Sequence, residues 1–479
     1  MRTVDLRQKK LRIALMSLLF ILIFSSACTE ATVVLEESPT AEETKIIQPT
    51  ETLRPFPTST QANTPIPDPT EGISLPPEDL DGVSLHFVHP WGGRADDLLV
   101  EIATQFSLSN PWNIWVDVEG FGSEAALMAS LESSLEVGEI PGLIAIQPYQ
   151  LTGVEDKILT IDLEPYFNDS EWGFDESAAG DIHQIFLDQF RLGESLVALP
   201  VAPRATVLFY NQTWGNELGF EGAPANAEAF QSQSCEATFA NQEDVNEAND
   251  GTGGYPRNVD PNVLASWYAA FGGELPDQAM PQFNSETGRE AFGFLKSMDE
   301  KGCIWINRKP DPYIYFANRY ALFYAGTLDH IPAQLAWMDV AGNEDQWKVM
   351  GFPGSSGETM VIDGPGLMVS ADSPENQMAA WLFAQHLLSP EIQAKLVQQL
   401  FTLPVRRSAV DELDDFSDQY PQWAQGLALV DDAQTLPITE NWAVAQWVLQ
   451  DGILRLFNLP EGDVSTILGE VDAMIGDME

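Results

Sequence analysis

Positive charge is scarce in this chain: 23 Lys and Arg stand against 72 Asp and Glu in 479 residues, a formal net charge of −49. Such a polyanion repels phosphate backbones, which excludes nucleic acid as a partner. It also repels anionic lipid headgroups, so membrane attachment needs a covalent or hydrophobic anchor. Histidine is scarce too, with five residues, and cysteine numbers three. His86 and His89 sit three apart in a strand-like run, which places them on opposite faces rather than in one metal shell. No Walker loop, HExxH, GxSxG or dinucleotide fingerprint occurs, so no cofactor is implied. A carboxylate pair, as in glycoside hydrolysis, is the enzyme chemistry left open. What is present is ample for a packed protein: 44% of residues are apolar and 10% aromatic, and the length suggests two or three domains.

The first 28 residues read as an export address. Arg2, Arg7, Lys9, Lys10 and Arg12 precede an apolar run from Ile13 to Phe24, too short to span a bilayer comfortably. Ser25, Ser26, Ala27 and Cys28 follow. This resembles a bacterial lipoprotein signal, in which the cysteine becomes the lipidated first residue; Ser25 departs from it, standing where Leu is usual. The alternative is an ordinary secretory signal with an incidental cysteine. Residues 29–81 are rich in Pro, Thr and Glu and lack apolar periodicity, which predicts a disordered tether. With Cys28 assigned to the anchor, Cys235 and Cys303 remain. In an oxidising compartment an even remainder suggests a disulfide, with two free buried thiols as the alternative. Neither has a CxxC partner or a nearby His, so no metal site is expected.

From residue 82 strand-like and helix-like runs alternate. Val83–Val88, Ile114–Val118 and Leu143–Ile146 read as strands; Asp96–Ser107 and Glu124–Gly138 read as helices. This is an α/β pattern with parallel strands, whose carboxyl ends form the usual ligand site. Further on, Ala205–Asn211 reads as a strand, and mainly helical patterns follow from Ala225. Asn241–Gly254 is a polar, acidic surface loop. It approaches calcium-loop spacing, but Ala248 and Arg257 occupy positions that need oxygen ligands.

Several motifs, in order, resemble the bacterial extracellular solute-binding proteins of ABC transporters, the sugar-binding, maltose-binding-protein-like family. They are Leu199-Pro200 followed by Val207–Asn211, then Asn318–Thr327, Trp347–Gly354, Asp363–Ser370, Ser373–Ala394 and Leu403–Ala409. The resemblance implies an α/β fold of two lobes in the periplasmic-binding-protein type II arrangement. One lobe would hold 82–204 and 354–402, the other 205–353 and 403–479, with a sugar or oligosaccharide trapped between them by hinge closure. It also implies delivery of the cargo to ABC permease and ATPase subunits; with the signal and Cys28, the expectation is a monomer lipid-anchored at the outer face of the cytoplasmic membrane. Pro141-Gly142 departs from the Pro-Asp usual in the family. A secreted carbohydrate-active hydrolase and a cell-surface adhesin are the other readings.

Sugars present apolar C–H faces and a rim of hydroxyls, which aromatic rings and hydrogen-bonding side chains recognise. By position the candidates are Trp91, Glu119, Gln147 and Tyr149 in the first lobe, and Trp267, Phe323, Arg406 and Trp442 in the second. Gly364 and Gly366 would admit close backbone approach. Each has a plainer alternative: core packing for Trp91, Trp267, Phe323 and Trp442, and an ion pair for Arg406.

Overall fold

The computed structural model describes residues 72–150, 160–276, 279–309, 311–370, 373–439, 441–459 and 462–477. These belong to one compact unit spanning 65–479. The expected signal peptide, Cys28 and the tether as far as residue 71 lie outside the described residues. The last ten residues of the expected tether are folded: Gly72–Ser74 and Pro77–Leu80 form 3-10 turns, and Leu80 is fully buried. Its apolar side chain enters the first core although the neighbouring prolines and acids suggested solvent. No helix among the described residues is long and apolar enough to cross a membrane.

The first sheet begins as the alternation predicts. Strand Ser84–His89 pairs in parallel with Trp115–Gly120 on one side and Leu143–Ile146 on the other. Helices Arg94–Ser109 and Glu124–Val137 make the crossovers. The second helix starts where Ser123 Oγ accepts the Ala126 N–H, and it stops at Gly138, whose φ is 77°. Leu143–Ile146 is buried along its whole length, as a doubly covered parallel strand should be. Two antiparallel strands complete the sheet, Gly366–Val369 and Leu199–Pro200.

The second sheet is built on Arg204–Asn211. Phe323–Thr327 flanks it on one side; Val361–Asp363 and Trp347–Met350 share the other. Period-2 alternation splits this strand between two cores: Leu208 and Tyr210 face one, Val207 and Phe209 the other. The chain therefore leaves the first sheet at Pro200 and enters the second at Arg204. Because Val361–Asp363 still pairs in the second sheet, the return passes through Gly364-Pro365, beyond the boundary expected at 354. The two crossings touch: Val201 N–H donates to Pro365 O at 3.3 Å. A third passes beside them, where Leu403 N–H donates to Pro203 O at 2.8 Å.

Cys235 and Cys303 are bonded, joining helix Ala227–Glu243 to the residue before strand Ile304–Trp305.

Candidate functional site

A cavity of about 370 Å³ lies where the parallel strands of the first sheet end and the crossings begin. Trp91 comes from the turn after the first strand, Glu124 from the start of the second crossover helix, and Gln147 from the end of the third strand. Arg204 and Pro365 come from the crossings, and Asp329 from the turn after Phe323–Thr327. Both sheets therefore contribute to one cleft.

Glu124 is its organising side chain. Its Oε1 accepts from Gln147 Nε2 at 2.7 Å, and its Oε2 accepts from the Tyr149 hydroxyl at 3.3 Å. Arg204 Nη2 stands 3.7 Å from Oε1. A carboxylate in a helix's first turn is favoured by the helix dipole. Arg204 is committed on its other side: Nη2 and Nε bond Asp363 at 2.6 and 3.3 Å. Asn262 Nδ2 adds a bond to the same carboxylate at 3.1 Å. Asp363 raises the pKa of the Arg204 guanidinium, and Glu124 adds to the effect. Burial pushes the Tyr149 phenol up, and the Glu124 and Asp363 charges push it further. Gln147 is 1% exposed, and its Oε1 has no donor among the described residues. The cleft thus offers acceptors and a flat indole, while its one lining cation among the described residues, Arg204, is already shared between two carboxylates.

Next to Asp329, His330 lines a second cavity of about 360 Å³ together with Asp260 and Tyr324. Burial lowers the pKa of His330 and raises that of Asp260.

Of the residues expected from sequence, Trp91 and Gln147 line the cleft, and Tyr149 bonds its central carboxylate. Gly364 and Gly366 flank the lining Pro365. Gly364 has φ 136°, and a Cβ there would lie 2.5 Å from Ala202 O. A Cβ on Gly366 would meet the Phe190 ring at 2.5 Å, so both glycines serve close packing of the crossings. Glu119 is elsewhere: it lies on the exposed face of an edge strand, 3.3 Å from His86 Nε2. Trp267, Phe323 and Trp442 are core residues, each with 0% of its surface exposed. Trp267 packs edge-on against Phe230 and Phe352, and Phe323 stacks on Tyr210 at 5.0 Å. Arg406 is held by Asp181 at 2.8 Å and does not line the cleft. Glu124, Arg204, Asp329 and Asp363 were missed. A signal existed for two of them, charged residues bordering the apolar crossover motifs.

A family described as bacterial extracellular solute-binding protein matches residues 101–426, well over half of the chain. The chain belongs to that family. No curated protein matches this solute-binding protein by sequence. Among solved structures it is similar to the cyclic alpha-maltosyl-1,6-maltose binding protein of Arthrobacter globiformis, at 15% identity and TM-score 0.69, covering 82% of this chain and 98% of that one. The sugar-binding protein MalE of Xanthomonas citri gives 16% identity and TM-score 0.69, covering 82% and 97%. UgpB of Mycobacterium tuberculosis, solved with glycerophosphocholine, gives 16% and 0.65, covering 81% and 97%. At these identities the likeness concerns the fold: two α/β lobes of the periplasmic type II arrangement.

Proposed function

We propose that this solute-binding protein captures a neutral sugar or oligosaccharide in the cleft and hands it to the permease and ATPase subunits of an ABC importer. The observation that carries the reading is the acceptor-rich network of Glu124, Gln147 and Tyr149 beside the half-buried indole of Trp91. Sugar hydroxyls donate to such acceptors, and a pyranose C–H face covers an indole. A phosphorylated or carboxylated solute fits less well, because Arg204 is already paired with Asp363 and Glu124. Two structurally similar proteins, a cyclic alpha-maltosyl-1,6-maltose binding protein and a sugar-binding protein, favour the same class. Export by the N-terminal signal, anchoring through Cys28 and function as a monomer complete the proposal. Closure of the lobes, biased by ligand, is the expected response, and no bond in the cargo is broken.

A thermal-shift screen of the mature chain against neutral oligosaccharides, with sugar phosphates, amino acids and polyamines as controls, tests this. A solute at about 100 times its Kd stabilises by about 2.7 kcal/mol. Stabilisation by a neutral sugar that is recovered intact agrees with capture. A sugar consumed during incubation points to a hydrolase, and stabilisation by an anionic control alone refutes the ligand class.

A further inference from the structure

A third cavity, of about 500 Å³, shares no lining residue with the cleft. Its walls are strand Ile304–Trp305, helix Tyr313–Ala317 with the nearby Tyr320, and the acidic loop that follows helix Ala227–Glu243. Trp305 and Tyr315 meet edge to face at 5.0 Å, and Tyr320 stands 6.4 Å from Tyr315. Trp305 is 7% exposed, and its indole N–H has no partner among the described residues. The rim carries Glu247 and Asp250 against Arg308, so donors and acceptors of both signs face one space.

The loop is held in place. Asn249 Nδ2 donates to Asp244 Oδ2 at 2.9 Å, and Gly253 N–H donates to Tyr320 O at 2.9 Å. Asn241 Nδ2 donates to Arg319 O at 3.0 Å. The disulfide ties the helix feeding the loop to Cys303, the residue before the strand carrying Trp305, so the loop and that strand are covalently tethered beside the cavity.

We infer that this cavity is a second saccharide-binding site, separate from the transport cleft. An anionic ligand would meet Glu247 and Asp250, and an organic cation would meet Arg308. A neutral ligand with apolar C–H faces and hydroxyls suits three rings and a mixed rim. A site there would let the receptor hold a second sugar unit, or a glycan surface, while the cleft stays free for cargo.

The test is calorimetric titration of the mature chain and its variants with maltotriose, cellotriose and chitotriose. Glu124→Ala weakens the cleft. Trp305→Phe shrinks the aromatic wall but keeps a ring, and Arg308→Ala alters an exposed rim position that a folding defect does not threaten. The expected result is binding of at least one trisaccharide that persists in Glu124→Ala and weakens by about tenfold in both Trp305→Phe and Arg308→Ala. Binding that disappears in Glu124→Ala, or that ignores both rim variants, overturns the site, as does no binding outside the cleft by any of the three sugars. Binding to the parent that depends on Trp305 and Arg308, with no second event that Glu124→Ala weakens, would refute the transport reading alone.

Discussion

Arg204 grips Asp363 with two hydrogen bonds where the outgoing and returning crossings run side by side. The same guanidinium faces Glu124 across the cleft, so one cation links the paired crossings to the cleft wall. Replacing Asp363 by Ala leaves Arg204 partly buried with a single, longer contact. The expected loss is about 2 kcal/mol, below the cost of breaking a fully buried pair because the Arg204 side chain is 37% exposed. Urea unfolding of Asp363→Ala measures it. Asp363→Ala should also bind sugar phosphates better than the parent does, since it frees the cation.

Stability should fall in acid because of His89. It is fully buried beside Asp96 and Trp91, and burial lowers its pKa to about 4, with Asp96 pulling partly back. The folded protein keeps this ring neutral while the unfolded chain protonates it near pH 6.5, so the unfolded state binds more protons between those values. The contribution is complete above about pH 6.5, declines as pH falls, and levels off below about 4, at a total of about 3 kcal/mol. His89→Gln should flatten the difference in unfolding free energy between pH 7 and 4.5. An unchanged slope would assign it to other groups, such as His183 and His386, whose pKa values are also lowered by burial.

The disulfide closes a loop with a sequence separation of 68 residues. In the chain-entropy account this stabilises by about 4 kcal/mol. Cys235→Ser with Cys303→Ser should therefore lower the melting temperature by several degrees, and reductant should do the same to the parent but leave the double variant unmoved.

Truncation at residue 82 should also destabilise. It removes Leu80 from the first core and the turn that seats Gly72 against Tyr166, at a cost of about 2–3 kcal/mol for the leucine alone.

The first sheet was legible because its strands and helices carry strong period-2 and 3.6-residue patterns, and Leu143–Ile146 begins and ends where the apolar run does. Trp91 and Gln147 were legible as strand-end residues for the same reason. Trp267, Phe323 and Trp442 were not: aromatic residues on apolar elements look alike in sequence whether they face a cleft or a core, and here one packed core absorbed all three. Glu119 failed on side-chain alternation at an edge strand, where one residue of register decides between cleft and solvent. Glu124 and Arg204 gained their roles only through contacts between segments distant in the chain, which no local pattern encodes.

The most direct test of the account is titration of the mature chain and Glu124→Ala with a neutral oligosaccharide found by thermal shift, followed by analysis of the recovered sugar. The account predicts one cleft-bound sugar per chain, recovered intact, with affinity lowered by about ten- to a hundredfold in Glu124→Ala and the fold retained. Cleft affinity unchanged by Glu124→Ala, or a sugar returned hydrolysed, would contradict it.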